Sequence, residues 1–276
     1  MIRRAFLDLA HGQLHYRTLG AAQSPPLLML HSGPGAAQSL EPLMRPMSQG
    51  RRVFACDIPG FGDSEPLSQE APAIADFAAA LLPALDALGL AQADLSGTHT
   101  GANICVEMAL AAPDRVRRVV LDGIALYSPQ QRQELLATYA RRITPDQDGT
   151  HLLKVWHFVR DQQLFFPWFR RQDARHLRRL GLPDAAVVHD LVVEVLRGMT
   201  TYHRGYNASF AYVKEERLPL LRVPTLVASS PSDLFFPELD RIVALIPGAT
   251  RMVTPEYGAP GAVEKTAAMF LGYLAG

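Results

Sequence analysis

The sequence predicts an α/β fold in which a mostly parallel central sheet is flanked by helices and carries an inserted helical cap. Short apolar runs alternate with helical patterns along most of the 276 residues, and this order is typical of parallel sheets. The alternation is interrupted once, which predicts the insertion. Hydrophobic residues make up 48% of the chain, so it can bury a large core.

Six segments are predicted as strands because each is a short apolar run next to turn-forming residues. They are Pro26–Leu30, Val53–Cys56, Ala93–Ser96, Val116–Leu121, Thr225–Ala228 and Arg251–Thr254. Between them the spacing of apolar residues predicts helices, for example over Ile74–Leu88, Asn103–Ala112 and Val263–Leu274.

The interruption extends from about Tyr127 to Glu216 and is rich in arginine, histidine and aromatic residues. Its pattern indicates several helices, after which the chain returns to a strand. In a parallel sheet, ligands bind at the carboxyl ends of the strands, and an insertion between two strands is placed to cover them. We therefore assign residues 1–126 and 217–276 to the core domain and residues 127–216 to a cap.

Composition excludes several classes of partner. The 27 Lys and Arg residues balance 27 Asp and Glu residues, so nucleic acid is not expected as a ligand. Met1–Leu30 lacks the pattern of a secretory signal and no stretch is apolar for long enough to cross a bilayer, which favours a cytoplasmic protein without membrane contact. Cys56 and Cys105 are predicted to be buried free thiols. We expect a small-molecule partner, no cofactor and no metal, and leave a homodimer open.

Three glycine-containing loops follow predicted strands, at the edge of the sheet where ligands bind. They are His31–Gly35 (HSGPG), Asp57–Ser64 (DIPGFGDS) and Gly97–Gly101 (GTHTG). Glycine permits tight turns and a close approach of backbone N–H groups to a ligand. The three loops therefore predict one site built from separate strand ends.

In this order and spacing, the loops resemble those of the α/β-hydrolase fold family, and the resemblance covers nearly the whole chain. The first is similar to the family's HGGPG segment, the second to D-x-P-G-x-G-x-S, and the third to the nucleophile elbow G-x-S-x-G. The resemblance implies that the elbow raises one side chain above the sheet, and here that side chain is His99 instead of serine. It also implies an oxyanion hole made by the backbone N–H groups of Gly33 and Thr100. His31, Asp57 and Ser64 are expected to organise their loops.

The other two members of the family's catalytic triad are matched only in part. Asp233 follows the strand Thr225–Ala228, at the position of the family's acid. The family's base is a histidine after the last strand, but no histidine follows His203 in this sequence, and Ala259 aligns with the missing residue. The chain thus departs from the pattern twice, at the nucleophile and at the base.

Three interpretations of this double departure are open. In the first, the fold is a catalytically inactive scaffold that binds a ligand. In the second, the longer side chain of His99 reaches the vacated imidazole site and pairs with Asp233 for general acid/base catalysis on a small carbonyl or ester-like molecule. In the third, His99 is a covalent nucleophile or shares a metal with cap histidines such as His157 or His203. The second interpretation is favoured, and it needs neither a metal nor a serine nucleophile.

Aromatic and histidine residues of the cap are the candidates for the roof of the pocket, because buried polar groups among aromatics need partners. Those predicted to bind the substrate are Trp156, His157, Trp168, Tyr202 and His203. Three arginine pairs are predicted to lie on solvated helix faces, namely Arg141–Arg142, Arg170–Arg171 and Arg178–Arg179.

Overall fold

A computed structural model describes residues 1–21, 25–178 and 181–276. Arg179, which was assigned to a solvated helix face, lies outside the described residues.

An eight-stranded sheet forms the centre of the molecule, in the order β1-β2-β4-β3-β5-β6-β7-β8. The strands are β1 Arg3–Leu9, β2 Gly12–Leu19, β3 Leu27–Leu30, β4 Val53–Cys56, β5 Ala93–Thr98, β6 Val116–Asp122, β7 Thr225–Ser229 and β8 Thr250–Val253. Pairing is parallel from β4 through β8 and antiparallel between β1 and β2 and between β2 and β4. The α/β fold class and the six predicted strands are confirmed.

The edge hairpin of β1 and β2 is absent from the sequence prediction. In β1, half-buried residues alternate with exposed ones such as Arg4 and Phe6, because one face of an edge strand is open to solvent. The hairpin therefore offers no continuous apolar run. β3 and β4 are buried at every position, since helices cover both faces of the parallel part of the sheet, and their apolar runs are easily recognised.

The α-helices of the described residues surround this sheet. They are α1 Glu41–Met47, α2 Ile74–Ala87, α3 Thr100–Ala111, α4 Pro129–Thr138, α5 Thr150–Leu164, α6 Ala185–Gly198, α7 Tyr202–Ala211, α8 Lys214–Arg217, α9 Leu239–Leu245 and α10 Ala262–Ala275. The three predicted helices correspond to α2, α3 and α10. α3 begins earlier than predicted, because the turn at His99 leads directly into the helix.

The core lies on both faces of the sheet. Leu28 and Leu30 of β3 pack on one side, and Leu27 and Met29 pack on the other. Each fully buried side chain of this size contributes roughly 1.5–3 kcal/mol relative to an exposed one. The strand ends are thereby held rigidly, and the loops that follow them are positioned by the core.

The helices α4 to α8 come from the predicted insertion, between β6 and β7. Cys56 and Cys105 are buried and unpaired, as predicted. Within the described ranges, every helix is too short or too polar to cross a membrane.

Candidate active site

His99 occupies a strained turn between β5 and α3. Its backbone has φ 49° and ψ −105°, and it is the only non-glycine residue with a positive φ among those described. Such a conformation costs an L-residue roughly 1–3 kcal/mol and persists only where its surroundings impose it. A Cβ atom on Gly97 would collide with the backbone of Gly101, and one on Gly101 would collide with the backbone of Leu30. Both glycines are therefore required for this turn.

The turn brings His99 to Asp233, the other residue predicted for the site. His99 Nε2 lies 3.2 Å from Asp233 Oδ2, although the two residues come from different strand ends. The His99 side chain is 31% exposed and that of Asp233 only 3%. Asp233 Oδ1 accepts a hydrogen bond of 2.8 Å from the backbone N–H of Phe235, which fixes the carboxylate. An imidazole with one edge on a buried carboxylate and another in an open cavity can exchange protons with a ligand.

Tyr257 completes this cluster, and its role was not predicted from the sequence. Its hydroxyl donates a 2.9 Å hydrogen bond to the same oxygen, Asp233 Oδ2. Tyr257 lies on the loop after β8, where the family's histidine was sought, two residues before Ala259. The position of Tyr257 in the sequence is thus the one signal that could have indicated it. Without the geometry of the loop, however, a tyrosine cannot be recognised as the partner of an acid.

The charges of the pair stabilise each other. Burial by itself lowers the pKa of His99, but Asp233, with smaller contributions from Asp122 and the Gly123 backbone, raises it above its ordinary value. Burial by itself raises the pKa of Asp233, but His99, the Phe235 N–H and the Tyr257 hydroxyl hold it below its ordinary value. The pair thus shifts His99 towards its protonated form and Asp233 towards its ionised form, relative to either group in the same place without the other.

Asp122, at the end of β6, is a second, half-buried acid near His99, and its role was not predicted from the sequence. Its backbone carbonyl accepts a 3.0 Å hydrogen bond from the His99 N–H. Its Oδ1 is buried without a partner among the described residues. Burial and the nearby Asp233 raise the pKa of Asp122 to about 7, against a smaller lowering by His99. Asp122 is therefore partly protonated at neutral pH and adds less than a full negative charge.

A cavity of about 260 Å³ opens in front of His99. Gly33, Thr100, Asp233 and Tyr257 also line it. The Cα of Gly33 faces Thr100, since a Cβ built there would lie 3.4 Å from Thr100 Oγ1. Thr100 is the first residue of α3, so its backbone N–H has no acceptor within the helix. The two residues predicted for an oxyanion hole therefore lie at the same cavity as His99.

The inserted segment supplies the opposite wall, which is mainly apolar and aromatic. The residues on that wall include Tyr139, Val159, Gln162, Phe166, Leu191, Val195, Tyr206 and Phe210. Tyr206 stacks on Phe210 at 5.6 Å, and Gln162 Nε2 donates to the hydroxyls of Tyr139 and Tyr206. This network gives the wall a defined shape.

The five cap residues predicted to bind substrate do not line the cavity. Trp156 and His157 lie on the outer face of α5, because Val155, Phe158 and Val159 occupy its inner face. The other two aromatic residues, Trp168 and Tyr202, pack inside the cap.

Hydrogen bonds account for the polar atoms of these two aromatics. Trp168 Nε1 donates to the Tyr139 carbonyl at 2.9 Å, and the Tyr202 hydroxyl donates to the Arg141 carbonyl at 2.8 Å. His203 is half-buried, away from the cavity, with Arg142 and Arg204 nearby. His157 and His203 therefore lie outside the cavity that His99 lines, whereas a shared metal site would require them to lie beside His99.

Two cationic residues of the cavity were missed. Arg178, predicted on a solvated face, is half-buried and lines the cavity, and its Nη1 donates a 2.6 Å hydrogen bond to the Gln162 carbonyl. Lys214 lines the cavity and is 2% exposed. Neither could be found from the sequence, because charged residues normally lie in solvent.

The first two loops have the organising role expected of them. His31 Nδ1 contacts the Ser32 carbonyl and its Nε2 accepts from the Ile58 N–H, both at 2.9 Å. The Asp57 carboxylate accepts from the Ala37 and Asp63 N–H groups and contacts His15 Nδ1 at 2.8 Å. His15, Asp57 and Asp63 are close enough to hold a metal ion, but these hydrogen bonds already account for the buried carboxylate.

The sequence of this chain is similar to those of known hydrolases. The sequence profile of the alpha/beta hydrolase fold matches residues 25–266. A 2-hydroxy-6-oxononadienedioate/2-hydroxy-6-oxononatrienedioate hydrolase of Pseudomonas putida is 38% identical over 128 residues, which are 44% of this chain and 43% of that protein. A 2-hydroxymuconate semialdehyde hydrolase of Pseudomonas sp. strain CF600 is 41% identical over 108 residues, 36% of either chain. The matched segment thus spans less than half the length of these curated relatives.

Solved structures resemble the whole chain. Epoxide hydrolase A from Mycobacterium thermoresistibile superposes with a TM-score of 0.75 at 18% identity, covering 100% of this chain and 99% of that one. The enol-lactonase from Burkholderia xenovorans LB400 superposes with a TM-score of 0.73 at 20% identity, covering 99% and 100%. At these identities the likeness concerns the fold alone.

Proposed function

Because the chain belongs to the α/β hydrolase fold family, we propose that it is an enzyme of the hydrolase or lyase type that acts on a small organic carbonyl or ester-like molecule. In this proposal the His99–Asp233 pair performs general acid/base catalysis, and no serine nucleophile takes part. The observation that carries it is the 3.2 Å contact between His99 Nε2 and Asp233 Oδ2 at the wall of the cavity.

The contacts of the His99 ring indicate how a proton is transferred. Nε2 contacts Asp233, and the proposal assigns the proton exchange with water or the ligand to the other ring nitrogen, Nδ1. The resulting imidazolium is stabilised by Asp233, whose effect on the pKa of His99 is upward. A positioned base of this kind contributes roughly 10²–10⁴-fold to a rate. Tyr257 keeps the carboxylate in place through its hydrogen bond to Oδ2.

Backbone donors would stabilise the oxygen on which negative charge develops. The N–H groups of Gly33 and Thr100 are the candidates, since both residues line the cavity with His99. Such preorganised donors act where the charge appears and need no rearrangement during the reaction. This arrangement requires a ligand with a carbonyl or ester oxygen. The names of the curated relatives, an oxo-dienedioate hydrolase and a semialdehyde hydrolase, support a carbonyl substrate.

Turnover of a panel of esters, lactones and β-keto acids tests the proposal. His99→Ala should abolish activity with the fold intact, and Asp233→Asn should lower it substantially, because the ring loses its orientation and its counter-charge. His157→Ala is the matched control, since His157 is exposed on the outer face of α5, and it should retain full activity. A fluorophosphonate probe should leave the protein unlabelled, because the elbow offers no serine.

The dependence of kcat/KM on pH tests whether His99 acts as the base. If His99 is the base, kcat/KM should rise with pH through a midpoint above 6.5, since Asp233 raises the pKa of His99 from that value. Full activity in His99→Ala, or labelling of a cavity hydroxyl, would overturn the proposal. Ligand binding that depends on His99, with no turnover of any compound, would identify an inactive binding protein, and loss of activity with a chelator would identify a metal site.

A further inference from the structure

Asn103, Ser209 and Lys214 line the cavity together and form a polar cluster outside the His99–Asp233 pair. Asn103 lies one turn into α3, and its N–H donates to the His99 carbonyl at 3.2 Å. Its side chain donates through Nδ2 to Ser209 Oγ at 2.7 Å. Asn103 is 2% exposed, and its Oδ1 is buried without a partner among the described residues. A buried acceptor left unpaired costs roughly 1–3 kcal/mol.

Lys214 also has poorly satisfied hydrogen-bonding capacity. Its Nζ donates only two long hydrogen bonds, 3.3 Å to the Ser209 carbonyl and 3.4 Å to the Tyr212 carbonyl. The amine lies 5.2 Å from the centre of the Tyr127 ring and 5.6 Å from that of Tyr212.

Within the described ranges no carboxylate is at ion-pair distance from Lys214. Its neighbour Glu215 faces Arg132 at 4.0 Å. A buried amine without an anion is costly, so a structure that keeps one gains by supplying a further partner.

We propose that Asn103, Ser209 and Lys214 form a subsite that binds a hydroxyl group of the ligand. The hydroxyl oxygen accepts from Lys214 Nζ, and the hydroxyl proton is donated to Asn103 Oδ1. A ketone oxygen has no proton to give to Asn103, and a carboxylate places negative charge beside the same acceptor. A hydroxyl is the group that satisfies both protein atoms.

This inference rests on the proposed function for the site, and it narrows the substrate class. The Asn103 N–H donates to the His99 carbonyl and both residues line the cavity, so the subsite lies beside His99. The substrate is then a small carbonyl compound or ester with a hydroxyl group a few bonds from the reacting carbon. Burial lowers the pKa of Lys214 to about 7, so near neutral pH the amine is well suited to a neutral partner.

Binding of three small probes tests the subsite without requiring turnover. Phenol, toluene and benzoate are titrated into the ¹⁵N-labelled full chain, and their dissociation constants are measured from NMR shifts. Rings of this size fit, since a cavity of about 150 Å³ already admits benzene. Phenol should bind at least about tenfold more tightly than toluene and shift the Asn103 side-chain amide signal, because only phenol pairs with the subsite.

Lys214→Met should remove most of this preference, because Met keeps the length of the side chain without its donors. Lys154→Met is the matched control, since Lys154 is exposed on α5, and it should leave the preference unchanged. Asn103→Leu provides a second variant if Lys214→Met fails to fold, and it should also reduce the preference.

Equal binding of phenol and toluene to the native protein would overturn the subsite, as would a full preference in a folded Lys214→Met variant. Benzoate binding more tightly than phenol, and losing that advantage in Lys214→Met, would also overturn it in favour of an anion site. A phenol preference in a protein that turns over no substrate would contradict the proposed function alone. Turnover that depends on His99, without a phenol preference, would contradict the subsite alone.

Discussion

Replacing Lys214 with Met should remove a pH dependence of stability that the native protein shows in the alkaline range. Burial lowers the pKa of Lys214 from 10.5 to about 7 on folding. Between these values the unfolded chain holds a proton that the folded chain has released, so native stability rises with pH. Below about pH 7 both states are protonated and the full penalty for the buried charge remains.

The size of the effect follows from the same two values. One pKa unit corresponds to about 1.36 kcal/mol, so the interval from about 7 to 10.5 gives an upper limit of about 5 kcal/mol. From pH 7 to pH 9 the native protein should gain about 2 kcal/mol that the Lys214→Met variant does not gain. Lys214→Met should therefore be most advantageous at pH 7, and its advantage should shrink as the pH rises.

Urea unfolding at pH 7, 8 and 9 measures this difference, and groups other than Lys214 contribute equally to both proteins. Lys154→Met serves as the control, because Lys154 is exposed and should show no such pH dependence relative to the native chain. A difference between native protein and Lys214→Met that stays constant within about 0.5 kcal/mol would refute the reasoning, since it would show that Lys214 keeps an ordinary pKa when folded.

Two further predictions concern the site and the elbow. Tyr257→Phe should raise the pKa of His99, measured by NMR titration of the imidazole, because Asp233 loses the 2.9 Å hydrogen bond that partly neutralises it. An unchanged pKa would show that Tyr257 only packs there. Gly101→Ala should destabilise the protein by about 3 kcal/mol or more in thermal unfolding, because the new Cβ would collide with the Leu30 backbone. Gly272→Ala in α10 is its control, since a Cβ there meets no atom within 4 Å, and it should be neutral or stabilising; equal effects of the two changes would contradict the steric argument.

The elbow of this chain keeps its glycines although histidine stands in place of serine. A bulky imidazole in a strained turn needs both flanking glycines, and the chain retains Gly97 and Gly101 in contact with the adjoining backbone. The ring has partners there, because Asp233 lies at 3.2 Å and the Phe235 ring packs edge-to-face with it, with 5.5 Å between the two ring centres. These contacts favour a working acid/base group over a chance replacement of serine.

The sequence alone determined the fold class, the six strands of the parallel part, the elbow and the pairing of His99 with Asp233. Local physics is sufficient for the strands and for the tight turn, whereas the resemblance to the family identified that turn as the elbow and Asp233 as the acid. Strands that are buried on both faces appear in the sequence as continuous apolar runs, and a tight turn requires glycines at set positions. Residues that follow parallel strands must then meet at one edge of the sheet, whatever the details of packing.

Only the tertiary structure decided which side chains face the cavity. Trp156 and Val159 lie on the same helix, yet the packing of α5 turns the first outward and the second towards the cavity. The roles of Tyr257, Asp122 and Lys214 likewise depend on loops and helices that meet from distant parts of the chain. Side-chain direction and pKa are properties of the surroundings in three dimensions, and neither residue type nor sequence spacing specifies them.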